Sequence, residues 1–596
     1  MNNFWKTFFG SAFGAMVGVM VSSVLAVVLV FVMIGAMIGS GSESKAKPLG
    51  SASVLHLKLD YALSDQTNNN PFENLNRGEF STTSKPGLYD LVKVINHASS
   101  DDKIKGIYLE ISEVPAGMAN AQELRKALVA FRTSGKFVYT YSDVLTQKGL
   151  YLATAGDKIF LNPAGDVEFK GLSTTFISFK RLLDKMGVQA EVFRPEGNKF
   201  KSAVEPFFLE KMSPENRAQT FKFLNTMWAE MVGEMSDSRK IAVADMNRIA
   251  DGLEIYNTMS AVKLGMADSL LYKDQFISLM KKKCGIEDKE KLRLVGPGEY
   301  FDLVKSKLNE GSKDNKIAVV FAEGEIVYGK GDNETIGNES LCKQLQKARE
   351  DDKVKAVVLR VNSPGGSALA SEIIWREVEI TKAKKPVIVS MGNLAASGGY
   401  YISCGANKIY ADPGTLTGSI GVFGMLYNAQ GLLNDKLGIL TDTVKTNRYS
   451  DFFSFARNME DAEKTYLNRS VNDIYQLFLK RVSDGRKMSV ANVDSIAQGR
   501  VWAGRDALGL GLVDELGTLQ DAIAAAAKEV NVTDYSIMTL PESGDFWQSL
   551  FEQKDNTVDA YMKKNLGEGY KILEGFRSLE QTRGVQARMP FNMEIQ

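Results

Sequence analysis

The sequence predicts an α/β chain in which one layered unit is written twice behind an apolar N-terminal segment. Short β-branched runs alternate with longer amphipathic patterns, which implies βαβ units with right-handed crossovers. Four sequence matches recur in the same order at a nearly constant offset. A long uncharged stretch precedes both copies. The 596 residues exceed the ~250–300 at which single cores stop growing, so several domains are expected.

The uncharged stretch runs between Lys6 and Glu43, and "AMVGVMVSSVLAVVLVFVMIGAMIG" within it is almost wholly apolar. About 20 such residues span a bilayer core. A cleaved signal peptide would carry an apolar region of only ~7–15 residues. The segment therefore reads as one uncleaved transmembrane helix, with residues 1–48 as anchor. Lys6 in front and Lys45 and Lys47 behind give only a weak positive-inside signal.

The repeat is explicit in the letters. "DDKIKGIYLEI" at 101–111 matches "DDKVKAVVLRV" at 351–361, and "GDKIFLNPAG" at 156–165 matches "ANKIYADPG" at 406–414. "SDSRK" at 236–240 matches "SDGRK" at 483–487, and "AVKLGMADSL" at 261–270 matches "ALGLGLVDEL" at 507–516. Self-similarity of this kind marks a duplicated structural unit. The polar run "SKLNEGSKDNK" at 306–316 is the seam, so the copies are expected at 49–310 and 317–540, with a tail at 541–596. In the second copy "KIAVVFA", "VKAVVLRV" and "PVIVSM" read as buried strands. "SALASEIIWREVEITKA" and "EKTYLNRSVNDIYQLFLKRVSDG" read as amphipathic helices. Helical extensions are expected at about 212–250 and 459–485.

Composition excludes several functions. Lys+Arg and Asp+Glu balance at 72 each, with no basic stripe interleaved with aromatics, so no nucleic-acid partner is expected. Cys284, Cys342 and Cys404 are scattered and odd in number, so no disulfide framework follows. With His56 and His97 as the only histidines and no CxxC, no catalytic zinc and no other cofactor is expected.

The stretch "SMGNLAASGGYYISCGANKIYADP" at 390–413 carries the first chemical signal. Ser397 follows an apolar strand and opens the next helix, which would expose its Oγ beside unpaired backbone N–H groups. The plainer reading is a small residue where strand and helix pack closely. "VNSPGGSALAS" at 361–371 is the second signal. Pro364 sets a turn, and Gly365 and Gly366 allow close approach of backbone to a ligand. Both turns follow strands of one sheet, at the carboxyl ends where open α/β sheets bind ligands. Acyl transfer needs a nucleophile, a base and oxyanion donors. Ser397 supplies the first, and the N–H groups of Gly366 and Gly398 the last. The base is not evident, because both histidines lie in the first copy, far upstream. A carboxylate is one option. A lysine made neutral by burial is another, but lysines are too many to choose among.

"NSPGG", "AASGGYYIS", "LTGSIGV", "AQGRVWAGRDALGLGLVDELG" and "KSAVEPF" at 201–207 together resemble the signal peptide peptidase A family, in its long two-copy protease IV form. The resemblance implies two tandem Clp protease/crotonase-like domains and a Ser-Lys dyad. It places the nucleophile on Ser397, the general base on Lys201 and the oxyanion donors on Gly366 and Gly398. It matches Ser419 of "TGSIGV" to a serine that orients the lysine. It also implies apolar signal-peptide remnants as substrates, a homo-oligomer, expected as a tetramer, and a single-pass inner-membrane protein whose catalytic part faces the periplasm.

Set on the repeat, these assignments divide the work. The position matching Ser397 in the first copy falls near Lys148, in "TQKGLY". The position matching Lys201 in the second copy falls near 450, in "TNRYSDFF", and holds no lysine. The first copy also reads "EISEVPAGMANAQEL" where the second has its glycine pair. One site per chain, closed across the two copies, is the expectation. The alternatives are a crotonase-like acyl-CoA enzyme and a silent membrane scaffold. The former needs neither Ser397 with Lys201 nor an anchor, and the latter would survive Ser397→Ala.

Overall fold

The computed structural model describes residues 48–67, 85–332, 334–542 and 585–588. The chain divides into two compact units, 1–50 and 51–596, and the described sheets and helices, with the site, belong to the second. The expected anchor lies outside the described residues, as does most of the tail. Among the described residues no helix is long and apolar enough to cross a membrane.

The first half contributes β1 (Ser53–Lys58), β2 (Ile104–Glu110), β3 (Phe137–Leu145), β4 (Lys158–Val167), β5 (Gln189–Phe193), β6 (Ser269–Leu270) and β7 (Arg293–Val295). All but β5 form one six-stranded parallel sheet, in the order β6-β4-β3-β2-β1-β7. The second half contributes β8 (Lys316–Glu323), β9 (Glu325–Val327), β10 (Thr335–Gly337), β11 (Val354–Ser363), β12 (Gly365–Ser367), β13 (Val387–Ala396), β14 (Lys408–Ala411), β15 (Leu416–Gly418), β16 (Phe423–Asn428), β17 (Val501–Ala503), β18 (Glu515–Leu516) and β19 (Ser536–Leu540). Here the parallel order is β18-β14-β13-β11-β8-β19, with β15 and an antiparallel β17 branching from β13. Strand for strand the two orders are the same, as a duplicated unit requires. The central strands are buried on both faces, so they read as continuous apolar runs rather than alternating ones.

The helical extensions also correspond. Pro214–Arg239 and Asp461–Arg486 are each 26 residues long, and each ends on a left-handed lysine, Lys240 and Lys487. Ser213 caps the first by accepting from the Asn216 N–H.

A third sheet joins the halves, in the order β10-β9-β12-β20-β16-β5, where β20 is Val585–Arg588 of the tail. Its edge strand β5 belongs to the first half and runs antiparallel to β16 of the second, Phe193 opposite Gly424 and Gln189 opposite Asn428. This pairing carries the chain after β5 across to the second half.

A buried ionic cluster makes a further junction. Arg360 on β11 is almost fully buried and binds Asp65 through Nε and Nη2, both at 3.1 Å, and Glu123 through Nη1 at 2.7 Å. Both carboxylates come from the first half. The same Nη1 donates to Ser390 Oγ at 2.9 Å. Truncating one member of such a cluster strands the others in a low-dielectric interior. Arg360→Ala is therefore expected to lower stability by about 3–5 kcal/mol, read as a lower denaturant midpoint.

Candidate active site

Ser397 stands where β13 ends and the short helix Gly398–Ser403 begins. Its backbone has a positive φ, 55° with ψ −114°, which is costly for a non-glycine residue. The turn is held by the Ser397 N–H donating to the Gly418 carbonyl at 2.8 Å. Ser419, directly after Gly418, also has a positive φ of 48°, and its N–H donates to Arg500 O at 2.7 Å. Two strained serines thus face one point, and both are fully buried.

Lys201 arrives from the first half, on the segment between β5 and the short helix Glu205–Phe208. That segment is fixed from several sides. The Phe200 N–H donates to Gln498 O at 3.0 Å, and Gln219 Nε2 donates to Phe200 O at 3.0 Å and Ser202 Oγ at 3.1 Å. The Glu205 carboxylate accepts from Ser213 Oγ at 2.6 Å and Asn216 Nδ2 at 2.8 Å, which pins the turn to the start of the long helix. Gly499 closes the other side. At φ 80° it sits where a Cβ would lie 2.5 Å from Lys201 Cβ, so only glycine lets the two segments meet.

Lys201 Nζ lies 2.7 Å from Ser397 Oγ, 3.0 Å from Ser419 Oγ and 3.1 Å from Ser419 O. The side chain is fully buried. These three contacts are all with neutral oxygens. Burial without a countercharge pushes the amine well below its ordinary value of 10.5, because desolvation disfavours the ammonium. A neutral amine has two N–H donors and one lone pair. The Ser419 carbonyl and hydroxyl oxygens can take the two donors, which leaves the lone pair to accept the Ser397 proton at the shortest of the three distances. The other acceptor near that hydroxyl, Gly421 O, is farther at 3.4 Å.

The glycine turn closes the third side. β12 follows Pro364, with Gly365 at φ 100° and Gly366 at φ 154°. A Cβ on Gly366 would lie 2.0 Å from Ile326 O, and one on Gly365 would lie 2.7 Å from Gly398 N and 3.0 Å from Ser397 Cβ. The structure thus brings Ser397, Lys201, Ser419, Gly366 and Gly398 into one place, from both halves of the chain. Neither histidine takes part: His56 Nε2 lies 2.8 Å from Glu110, and His97 Nδ1 lies 2.8 Å from Tyr300 Oη.

One sequence expectation shifts by a residue. Gly149 in the first half packs against Ser112 O as Gly399 packs against Ser363 O, each with a would-be Cβ at 2.7 Å. The residue matching Ser397 is therefore Gln147, and Lys148 matches Gly398. Gln147 Oε1 accepts from the Lys170 and Gly171 N–H groups, both at 2.8 Å, so it ties down a loop. Sequence alone does not mark Gln219, Glu205 or Gly499. Glu205 sits inside "KSAVEPF" and Gly499 inside "AQGRVWAGRDALGLGLVDELG", and those motifs are the signals available for them.

The sequence model of peptidase family S49 matches residues 130–287 and again 379–533, and that of Clp protease matches 309–414. Protease 4 of Haemophilus influenzae is 36% identical over 84% of this chain and 83% of its own length. The chloroplastic serine protease SPPA of Arabidopsis thaliana is 32% identical over 83% of this chain and 72% of its own. A putative signal peptide peptidase SppA of Enterococcus faecium is 34% identical over 46% of this chain and 83% of its own. The double match within one chain agrees with the two equivalent sheets. The chain belongs to peptidase family S49, in its long two-copy form, and is a serine protease.

Proposed function

We propose that the enzyme is a membrane-anchored endopeptidase with a Ser397–Lys201 dyad, acting on signal peptides left after secretion and on other membrane-associated peptides. The observation that carries the dyad is the 2.7 Å approach of a buried amine, held towards its neutral form, to a strained serine hydroxyl. Lys201 takes the proton as Ser397 Oγ attacks the peptide carbonyl, and returns it to the leaving amine; water then frees the serine. Ser419 is the positioning residue that holds the amine. The oxyanion lies against the N–H groups of Gly366 and Gly398, donors of a kind whose loss costs about 10²–10³ in rate. The lysine-bearing unit is 49–310 and the serine-bearing unit 317–540. The name of the Enterococcus relative supports the substrate class, the apolar stretch before Glu43 supports an anchor, and the resemblance to the signal peptide peptidase A family supports an inner-membrane location with the catalytic part in the periplasm. We assign a homotetramer on the same footing of likeness.

A fluorophosphonate probe tests the nucleophile. Labelling is expected on Ser397 alone, and to abolish cleavage of an apolar peptide in proportion. Cleavage that persists in the fully labelled enzyme would contradict the assignment.

A further inference from the structure

The turn at 497–500, which leads into β17, touches the supports of both dyad members. Gln498 O accepts from the Phe200 N–H at 3.0 Å, and Gly499 packs against Lys201 itself. On the other side the Gly499 N–H donates to Ile420 O at 2.8 Å, and Arg500 O accepts from the Ser419 N–H at 2.7 Å. The approach of the amine to the hydroxyl therefore depends on this turn. It is strained: Gln498 has φ 54° and Gly499 φ 80°, in the left-handed region that a non-glycine residue resists. A side chain holds Gln498 there. The Gln498 N–H donates to Tyr475 Oη at 3.2 Å, and that hydroxyl donates to Asp494 Oδ1 at 2.5 Å. Tyr475 is buried on the helix Asp461–Arg486, and Asp494 lies on the helix Val490–Ile496, just before the turn. With its proton committed to the carboxylate, the phenol oxygen offers its lone pairs to Gln498. Burial and the neighbouring carboxylate push the phenol well above its ordinary value, so it stays a donor.

The duplication separates two roles for this side chain. The first half contains the same helix pair, Pro214–Arg239 and Val243–Asp251. Counted from the helix starts, Trp228 and Asn247 stand where the second half has Tyr475 and Asp494. Trp228 Nε1 donates to Asn247 Oδ1 at 2.8 Å, so a tie between the two helices is common to both copies. An indole N–H is a donor only. It cannot draw off a further backbone N–H, and the helix runs on through Asp251, the counterpart of Gln498. In the second half the helix stops at Ile496, and the turn opens towards the lysine segment. Tying the helices is work a tryptophan does equally well; accepting from Gln498 is not. We propose that Tyr475 is a positioning residue of the dyad, whose hydroxyl holds the turn at 497–500 against the lysine segment and so sets Lys201 Nζ against Ser397 Oγ. The inference rests on the chemistry proposed for Ser397 and Lys201. Without the hydroxyl, the Gln498 N–H returns to the helix, Gln498 O turns away from Phe200, and water reaches the amine beside Gly499.

Kinetics and covalent labelling of the full-length enzyme test this. Tyr475→Phe keeps the ring and removes the hydroxyl. It is expected to lower kcat for an apolar peptide about tenfold to a hundredfold, with KM unchanged. The rate of fluorophosphonate labelling of Ser397 should fall likewise. The pH below which labelling slows should rise, because a hydrated amine holds its proton more tightly. Tyr475→Trp copies the first half and can still donate to Asp494, and it should show the same changes. Tyr300→Phe is the control. It removes another buried phenol, bound to Asp101 at 2.9 Å in the first half, and should lower the denaturation midpoint without moving kcat or the labelling profile. A Tyr475→Phe or Tyr475→Trp enzyme with wild-type kcat, or with the wild-type pH profile of labelling, overturns the role of Tyr475 and leaves the dyad standing. An equal fall in Tyr300→Phe overturns it too, as a general loss of stability. A wild-type enzyme that is not labelled at Ser397, or whose labelling does not slow at low pH, overturns the reading of the dyad itself.

Discussion

Lys201→Ala is expected to lower kcat/KM for peptide cleavage by about 10²–10⁴, the range a positioned general base contributes. Ser397→Ala should fall further, by about 10⁶, since without the hydroxyl no acyl-enzyme forms. The double variant should be no slower than Ser397→Ala, because two groups that act on one proton do not contribute additively. The reason lies in the pairing of a strained serine with an amine that has no countercharge. Three neutral oxygens surround Nζ, so no countercharge offsets the desolvation of the ammonium. Lys201→Arg would not rescue, because a guanidinium stays charged and has no lone pair to offer. Steady-state kinetics on one apolar peptide, with the folded state checked by thermal denaturation, reads all four variants.

The same burial predicts an opposite effect on stability. The folded-state value of Lys201 is depressed below the unfolded value of 10.5 by desolvation. Between the two values the unfolded chain binds a proton that the folded chain does not, so stability rises with pH through that window and the burial penalty is fully present below it. Lys201→Met keeps the apolar stem and removes the amine. It should stabilise the protein at neutral pH by about 0.5–2 kcal/mol, as single stabilising substitutions at strained functional sites commonly do. The gain should shrink as the pH approaches 10.5. Thermal denaturation of both proteins across that range measures it, and a variant less stable than wild type at neutral pH would mean the amine is held by more than the oxygens around it.

Local features of this architecture are legible in the sequence, and long-range ones are not. The strand runs around 317–322, 354–361 and 387–391 are apolar because both faces are buried, and the helices Ala368–Lys382 and Asp461–Arg486 follow their periodicity. Ser397 and the glycine pair stand out because a strand-to-helix turn with small residues is a local signature. Lys201 has none. Its chemistry comes from burial against Gly499 and Ser419 of the second half, which the segment after β5 reaches once β5 pairs with β16, more than 200 residues away in sequence. Arg360 is illegible for the same reason: a charge within "VKAVVLRV" is neutralised by Asp65 and Glu123, far upstream. The offset of 250 that relates 101 to 351 and 156 to 406 also relates Gln147 to Ser397, and the packing of Gly149 holds that register through the turn, so Gln147 rather than Lys148 is the counterpart. The short strand β20 carries no periodicity long enough to read.

The proposed mechanism requires one amine from the first half to activate one hydroxyl from the second. The rate of covalent labelling of Ser397 by a fluorophosphonate, followed by intact mass against pH, reads that step without deacylation or product release. The wild-type rate should fall as pH drops through the depressed Lys201 value, well below 10.5, because protonation removes the lone pair. Lys201→Ala should label slowly and without that limb. Equal rates in the two proteins, or an unchanged limb in Lys201→Ala, would contradict activation of Ser397 by Lys201.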